Sequence, residues 1–426
     1  ANGSVAKRGK VAVDVSPQAT AEFVIPVTVT VGKPGVEYFV HFSVVTRQAE
    51  PLIPIGHEIA QEQFRLPLET EKDSYEASGK ALGWKAENGK VVVSSSNVYF
   101  ELDKATGMVT SYKVNGTEFF DKAFGVQPNF WRAPNDNDYG NSNPKRLQIW
   151  KESSRDFKVS DTAVREEGET VLMSVTYDLP AGNQYLITYR IYRDGVVNVN
   201  VKFTQTDREA EKTEVLEDTN LATFTPGKKV KKKDVLEVPR IGVRFRIPHV
   251  MNRVEYFGRG PVENYVDRNA GSMVGRYKTS VEEMYVNYVR PQENGHRTDT
   301  RWVSFTNTVG RGLLVLAEKT IGFNALQNTV EDFDSEESSH PYQWRNRSPK
   351  EVAGKNEAEA KNVLRRMTHV NDITPRDFVE VCIDMKQQGV AGYDSWGAKV
   401  QPGYTIPANR DYVWGFTLIP IKNVGD

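Results

Sequence analysis

The chain has 426 residues, and its 55 basic and 56 acidic side chains leave a formal net charge of −1. Because so balanced a charge creates no net field toward nucleic-acid phosphates or an anionic membrane surface, we expect neither partner. A composition of 38% hydrophobic and 26% charged residues is typical of a folded globular protein and excludes disorder and collagen-like repeats. The longest apolar stretches, 312–317 and 390–392, fall far short of the roughly 20 residues that a membrane-spanning helix needs.

Period-two alternation of apolar and polar residues dominates the chain, with Val, Ile, Tyr, Phe and Thr prominent. These side chains suit a pleated, half-buried surface, so the pattern predicts β-strands. The predicted strands are 11–15, 21–31, 36–46, 90–102, 170–179, 184–205, 242–247, 301–307 and 411–420. Asn115-Gly116 and Asp194-Gly195 tolerate the positive φ of tight turns and predict antiparallel hairpins.

Helical spacing is confined to two segments. Asn143-Pro144 opens a predicted helix that extends to about residue 157, and 282–288 predicts one further turn. Regular alternation of strand and helix is missing, whereas an eight-stranded α/β barrel takes about 250 residues of it. The predicted fold class is therefore all-β.

A polar segment without periodicity, 69–84, divides the predicted strands into two groups. Such composition is typical of a linker or a long connection between strands. We therefore divide the chain into a small sandwich at 1–70, a linker at 71–86 and one large β domain at 87–426.

Cysteine and acidic residues set the options for metal binding. The single cysteine, Cys382, excludes an internal disulfide framework and a cysteine-based zinc site, and its alternating surroundings predict a buried, inert thiol. Two runs, 135–140 and 331–337, are rich in the oxygen ligands that Ca²⁺ takes but lack EF-hand spacing. The alternatives are Asx-turn hydrogen bonding in the first run and an acidic surface loop in the second.

Two histidines, His340 and His369, each follow a strand-like region and lie near carboxylates in the sequence. This placement suits a general acid or base. It suits equally a histidine that caps a loop by hydrogen bonding.

A tryptophan-bearing loop, Asp394-Ser395-Trp396-Gly397, follows the glycine-flanked segment 389–393. A tryptophan outside a strand pattern has an apolar ring face to present, and the C–H face of a pyranose such as galactose is a suitable partner. The residues alone are equally compatible with packing of Trp396 in the core.

Three long strings resemble one known family. Residues 130–140, Phe-Trp-Arg-Ala-Pro-Asn-Asp-Asn-Asp-Tyr-Gly, resemble a signature of the large bacterial β-galactosidases of glycoside hydrolase family 2. Residues 256–268 resemble that family's Gly-x-Gly-Pro-x-Glu-Asn-Tyr-x-Asp-Arg, and 284–295 its Met-Tyr-x-x-Tyr-x-x-Pro-x-Glu-Asn-Gly. Asp394-Ser395-Trp396 then falls where the family has its C-terminal Asp-Ser-Trp loop.

The resemblance implies a particular all-β architecture. Residues 87–426 resemble the family's last domain, a large β-supersandwich that shares its fold with galactose mutarotases. Residues 1–70 resemble the preceding immunoglobulin-like β-sandwich. That sandwich is expected to be N-terminally incomplete, since Asn2-Gly3-Ser4 resembles a family hairpin turn with one or two strands upstream.

The resemblance also implies a function. Family members hydrolyse terminal non-reducing β-D-galactose residues by a retaining mechanism, with two carboxylates about 5–5.5 Å apart on a preceding barrel. Neither carboxylate has a match in this chain, so we assign no catalytic residue and expect the chain alone to be inactive. The resemblance assigns Trp396 to substrate binding, with its ring stacked beside the sugar, and Asp394 and Ser395 to the same loop.

Cofactors and partners follow from the same resemblance. The family commonly uses Mg²⁺, Na⁺ or Ca²⁺, but Arg290 replaces a Phe near one sodium position, so we carry no metal site over and assign no cofactor to this chain. The expected partners are a β-galactoside sugar, the remaining N-terminal and barrel domains of the same polypeptide, and further copies in a homo-oligomer. A bacterial protein of this family is compatible with a cytoplasmic or a periplasmic location.

Two other functions fit parts of the sequence. A stand-alone carbohydrate-binding module requires galactose affinity without the barrel and more than one exposed aromatic side chain. A mutarotase-like sugar epimerase requires a histidine acid and a glutamate base in one cleft, for which His340 or His369 with Glu380 are the candidates.

Overall fold

The computed structural model describes residues 3–25, 33, 35–68, 75–205, 214–216, 229–231, 237–334, 369–394 and 397–422, with backbone alone at 214–216 and 229–231. Strands make up 45% of the structure and helices 9%, which confirms the predicted all-β class. Among these residues, no helix is long and apolar enough to cross a membrane.

The described secondary structure is mainly β-strand, with a few short helices between the strands. The strands are β1 Phe39–Val45, β2 Glu58–Arg65, β3 Gly83–Glu87, β4 Lys90–Ser94, β5 Val98–Asp103, β6 Val109–Val114, β7 Thr117–Glu118, β8 Gln127–Asn129, β9 Lys158–Glu167, β10 Thr170–Asp178, β11 Gln184–Ile191, β12 Val197–Thr204, β13 Glu214–Leu216, β14 Lys229–Lys231, β15 Arg240–Pro248, β16 Arg253–Gly260, β17 Met273–Ser280, β18 Arg297–Thr306, β19 Gly312–Leu326, β20 Phe378–Gln387 and β21 Tyr412–Ile421. The α-helices are α1 Asp136–Gly140, α2 Asn143–Arg146, α3 Gln148–Ser153, α4 Val281–Met284 and α5 Val330–Phe333.

One antiparallel sheet of 12 strands organises the described part of the chain. Its main path is β17-β16-β18-β19-β21-β12-β11-β10-β9, and β20, β15 and β8 branch from it at β19. The 15-residue strand β19 makes the branch possible, because residues 312–317 pair with β21 while 322–326 pair with β20. A separate meander, β3-β4-β5-β6-β7, forms a five-stranded sheet.

Aromatic side chains join the meander to the large sheet. Phe100 of β5 lies 5.6 Å from Tyr112 of β6 and 5.5 Å from Tyr189 of β11, measured between ring centroids. The buried Tyr112 hydroxyl donates to the carbonyl of Gly195 at 2.5 Å, so its polar end is satisfied in the core. Strict alternation of buried and half-buried residues along β11 directs one face of the large sheet to this core.

Truncating Phe100 tests how much the aromatic contacts between the two sheets, the aromatic junction, contribute to stability. Phe100 is 0% exposed, so Phe100→Ala is expected to lower the free energy of unfolding by about 3–5 kcal/mol, through lost burial and a cavity. Urea unfolding of the two proteins measures the difference. The control is Val413→Ala at an exposed position, expected to change stability by less than about 0.5 kcal/mol; equal effects at the two positions would contradict the junction's role.

The predicted helix at 143–157 is divided in the structure. Pro144 lies in the first turn of α2 as predicted, but Leu147, with φ −111° and ψ 14°, leaves helical geometry between α2 and α3. The second predicted helix, 282–288, is shortened to α4, which begins after the capping residue Ser280 and ends where Tyr285 becomes extended.

The N-terminal part is represented by the hairpin β1-β2. The predicted strand at 11–15 is wrong, and so is 21–25 of the next, since 3–25 contains no strand; residues 26–31 lie outside the described residues. Alternation there has no paired partner within the described chain, and strand amides and carbonyls need one. The division into 1–70, 71–86 and 87–426 stays a prediction.

The hairpin β1-β2 contacts the large sheet at its edge strand β17. The Gln63 side chain donates to the Val274 carbonyl and accepts from the Val274 amide, both at 2.9 Å. Glu37 pairs with Arg301 of β18 at 2.7 Å. Within the described residues, the hairpin and the nearby Glu37 are therefore attached to the large sheet by side-chain bonds, not by strand pairing.

Candidate functional site

The first of the three strings, 130–140, forms a turn and helix α1. The Asn135 side chain accepts from the Asp138 amide at 2.9 Å, and the Asn135 amide donates to the Asp138 carboxylate at 3.0 Å. The buried Asp138 carboxylate also pairs with Arg132 at 2.9 Å and accepts from Asn143 at 2.7 Å. Its oxygens are thus engaged in capping and ion pairing, which agrees with the Asx-type interpretation of this run.

This turn also holds the segment that precedes the tryptophan loop. The Arg132 guanidinium donates to the carbonyl of Gly389 at 3.2 Å, and the side-chain amide of Asn135 donates to the carbonyl of Val390 at 3.2 Å. The first string therefore fixes the carbonyl side of residues 389–390.

The second string, 256–268, fixes the amide side of the same segment. The Asp267 carboxylate accepts from the Val390 amide at 3.1 Å and from the Ala391 amide at 2.8 Å. Gly389 lies so close that an added Cβ would sit 2.4 Å from Asp267 Oδ2, so a larger residue there would displace the Asp267 carboxylate. Hydrogen bonds to a carboxylate are stronger than neutral ones, which makes this a firm anchor.

The third string, 284–295, folds back onto the second. The Glu263 carboxylate accepts from the Gly295 amide at 2.8 Å and from the Tyr288 hydroxyl. The second and third strings, which are near each other in the sequence, therefore also contact each other in the fold.

A fully buried arginine lies beneath these strings. Arg240 at the start of β15 lies 3.1 Å from Asp384 of β20 and 3.1 Å from Glu293 of the third string. It also donates to the carbonyl of Trp131, in the first string, at 3.2 Å. Arg240 therefore links the first and third strings to the sheet through charge-assisted contacts.

Burial shifts the titration of the groups around Arg240. Burial raises the pKa of Asp384 to about 7, although Arg240 opposes the shift. Burial also raises the pKa of Glu293. The pKa of His296, whose Nδ1 lies 3.8 Å from Asp384, is held well below its usual range by burial and by Arg240, so this imidazole is neutral.

The raised pKa of Asp384 predicts a pH-dependent stability. Between pH 4 and 7 the folded protein holds a proton that the unfolded chain has lost, so this contribution is complete below about pH 4 and disappears as pH rises through about 7. The expected slope is up to about −1.4 kcal/mol per pH unit. Urea unfolding at pH 5 and pH 8 is expected to show a smaller pH effect in Asp384→Asn than in the parent.

The matched control for this measurement is Asp377→Asn. The Asp377 side chain is exposed and its pKa is lowered, chiefly by the hydrogen bond from Lys122, so it titrates below this interval. If the parent and Asp384→Asn showed the same pH dependence of the unfolding free energy, the assignment of this pH effect to Asp384 would be wrong.

Backbone geometry shapes the start of the tryptophan loop. Ala391 and Gly392 have φ of 56° and 94°, so two consecutive residues take a positive-φ backbone conformation that only glycine adopts readily. A Cβ on Gly392 would sit 2.8 Å from the Asn137 side chain, so the loop also touches the first string here. A non-glycine residue held at positive φ needs support, which the Asp267 anchor provides.

The far side of the loop is fixed as well. Gly397, at φ 81°, approaches the backbone so closely that an added Cβ would lie 2.4 Å from the carbonyl carbon of Gly140. The Asp394 carboxylate accepts from the Ala398 amide at 3.1 Å. Ser395 and Trp396 lie outside the described residues. The assignment of Trp396, Asp394 and Ser395 to substrate binding stays a prediction.

The acidic run at 331–337 differs from the predicted surface loop in its described part. Asp332 and Asp334 are buried: Asp332 caps α5 by accepting from the Thr329 amide at 2.9 Å, and Asp334 accepts from the Trp131 indole at 2.7 Å. Residues 335–337 lie outside the described residues. In the described ranges no three His, Cys, Asp or Glu side chains are grouped as metal ligands.

The histidine and glutamate candidates do not form one open cleft where they are described. Exposed His369 lies 3.7 Å from Asp372, whereas buried Glu380 pairs with Arg246 at 3.1 Å and with Arg244 at 3.4 Å. His340 lies outside the described residues. Cys382 is buried as predicted, and burial raises the pKa of its thiol.

Sequence reasoning missed Arg240 and Asp384, which lie 144 positions apart. A signal was available for each, because each charged residue has apolar neighbours in its strand. Ile241 and Val243 follow Arg240, and Cys382 and Ile383 precede Asp384. A buried charge in such a run requires a partner.

A branched antiparallel sheet joined to a second, smaller one is the architecture of an all-β supersandwich domain. The family model described as "Beta galactosidase small chain" matches residues 94–418, and "Beta-galactosidase, domain 4" matches residues 1–67. The chain belongs to the β-galactosidase small chain family and corresponds to a C-terminal β-galactosidase region, as the resemblance predicted.

Several β-galactosidases are similar over most of this chain. That of Priestia megaterium is 33% identical over 368 residues, which cover 86% of this chain and 30% of the relative. That of Streptococcus thermophilus is 27% identical over 412 residues, covering 96% of this chain and 34% of the relative. This chain thus spans about a third of the length of the curated relatives it matches.

Among solved structures, a galactose mutarotase related enzyme from Lactobacillus acidophilus aligns with a TM-score of 0.37 and 9% identity. The alignment covers 79% of this chain and 99% of that protein.

Proposed function

We propose that this chain completes the substrate pocket of a β-galactosidase and packs against a catalytic barrel carried elsewhere in the same polypeptide. The whole protein would hydrolyse terminal non-reducing β-D-galactose residues. The observation that carries the proposal is the anchoring of residues 389–394 and 397–398 on both sides of Trp396, with Asp267 as the central acceptor.

A fixed backbone on both sides of Trp396 is expected for a residue that contacts a ligand rather than the protein core. Fixing the backbone on both sides of residues 395–396 lowers the entropy that would be lost when a sugar binds. The indole face of Trp396 would then lie against the C–H face of the pyranose.

The carboxylates of the three strings are suited to holding the backbone and arginine side chains in place rather than to catalysing hydrolysis. Retaining hydrolysis needs one carboxylate free to attack and one free to donate a proton. Asp138, Asp267 and Glu293 are instead engaged by arginine side chains or backbone amides. We therefore propose that the reacting carboxylates come from the barrel.

Turnover of a chromogenic β-galactoside tests the proposal. The purified chain is assayed alone and then mixed with a separately expressed N-terminal part that contains the barrel. We expect no turnover by the chain alone and activity on mixing. Turnover by the chain alone, or inactivity of the mixture despite a stable complex on size-exclusion chromatography, would overturn the proposal.

A carbohydrate-binding role without the barrel is a second candidate, favoured by the exposed side chains of Tyr393 and Tyr404 beside the same loop.

A further inference from the structure

A surface cleft opens where the second string meets the segment before Trp396. Its volume is about 240 Å³. The residues that line it are Asp267, Arg268, Ala391, Gly392, Tyr393, Gln401 and Tyr404. Tyr393 is 63% exposed and Tyr404 is 41% exposed, so both aromatic side chains at this cleft are accessible, Tyr404 only in part.

The segments that line the cleft are tied to one another. The Gly389 amide donates to the Tyr404 carbonyl at 3.0 Å, and the Tyr404 amide donates to the Gln401 carbonyl at 2.9 Å. The Asp267 carboxylate holds the Ala391 amide at 2.8 Å from the other side. The cleft is therefore preformed, which lowers the entropy lost on binding.

The chemistry of the lining favours a neutral ligand. Asp267 and Arg268 contribute opposite charges, so a phosphate or carboxylate ligand would meet a carboxylate beside the guanidinium. Tyrosine rings offer flat apolar faces with a polar edge, and Arg268 and the Gln401 amide add donors suited to hydroxyl groups. Flat C–H faces together with many hydroxyls are features of a pyranose.

We propose that this cleft binds a sugar unit of a neutral oligosaccharide, with Tyr393 and Tyr404 as stacking side chains and Arg268 and Gln401 as hydrogen-bond donors. The choice of a saccharide rests on the proposed function, because Tyr393 stands three positions before Trp396 on the same loop. The volume, at the small end for ligand pockets, suits about one sugar unit.

Direct titration of the 426-residue chain tests the cleft. Lactose and a β-linked galactotrisaccharide are added to the ¹⁵N-labelled chain, and amide shifts are followed by two-dimensional NMR. We expect saturable binding with Kd of about 1–10 mM, the range of a few stacking and hydrogen-bond contacts. Tyr393→Ala and Tyr404→Ala are each expected to weaken binding at least about fivefold, which is about 1 kcal/mol because a tenfold change represents 1.4 kcal/mol.

Conservative variants, and variants outside the cleft, distinguish the loss of ring stacking from a general effect of mutation on the protein. Tyr393→Phe and Tyr404→Phe keep the ring face and are expected to bind within about twofold of the parent. Trp84→Ala removes an exposed aromatic side chain from β3, on the other sheet, and is expected to leave binding unchanged. Trp396→Ala is expected to retain saturable binding in the cleft.

Three results would overturn the proposal: no saturable shift at about 50 mM sugar, well above the expected Kd; unchanged affinity in both alanine variants; or loss of binding in Trp396→Ala alone. Because this readout needs neither the barrel nor turnover, its failure is distinguishable from failure of the proposed function.

Discussion

Replacing Arg240 by methionine is expected to lower the free energy of unfolding by about 3–5 kcal/mol at pH 8. The reason is that Asp384 and Glu293 would remain buried without the charge that both face, at 3.1 Å each. Removing one partner of a buried ion pair strands the other charge in a medium that solvates it poorly. Urea unfolding at pH 8 measures the change.

The same variant is expected to lose less stability at pH 5. Burial raises the pKa of Asp384 to about 7, so at pH 5 this carboxyl is protonated and its isolation is less costly. Should Arg240→Met fail to fold at pH 8, the triple variant with Asp384→Asn and Glu293→Gln is expected to restore folding, because no buried charge is left unpaired.

Arg165→Met is the matched control for Arg240→Met. Arg165 pairs with Glu167 at 3.2 Å, but both side chains are exposed, so water replaces the lost contact and the unfolding free energy is expected to stay almost unchanged. Equal losses in Arg165→Met and Arg240→Met would contradict the role of Arg240 as the buried link between strings and sheet.

Strands were predictable where a segment with alternating apolar and polar residues also pairs with another strand. Along 184–205 the period-two pattern becomes β11 and β12, joined across the predicted Asp194-Gly195 turn, because each residue there finds a partner on the next strand. The pattern at 11–15 is as regular but has no partner in the described chain. Periodicity records which face a strand would bury, whereas pairing depends on segments far away in sequence.

The site was predictable only in its motifs. The three strings and the loop were found because each is contiguous. The structure shows that side chains of the first two strings converge on residues 389–391, whereas the third string contacts the second. The convergence itself depends on Arg240, Asp267 and Asp384, whose contacts cross more than 100 positions. A single sequence contains the charge of each but not its partner.

Trp396→Ala in the assembled enzyme is expected to lower kcat/KM by about 10–100-fold. Burying one large aromatic face against a sugar contributes about 1.5–3 kcal/mol, and each 1.4 kcal/mol is tenfold. Contact with the non-reacting face of the sugar is similar in the ground and transition states, so the loss should appear mainly as a raised KM. Steady-state kinetics with a chromogenic β-galactoside measure both constants, with Trp84→Ala as an exposed aromatic control.

The anchoring of the loop supplies a second, sharper form of this prediction. Asp267→Ala removes the acceptor of the Val390 and Ala391 amides and is expected to raise KM, because the loop then samples positions in which Trp396 misses the sugar. If Asp267 acts through Trp396, the double variant is expected to be no worse than Trp396→Ala alone, whereas independent effects would add. Additive losses, or a Trp396→Ala enzyme with unchanged KM and kcat, would show that Trp396 is not what the first two strings position.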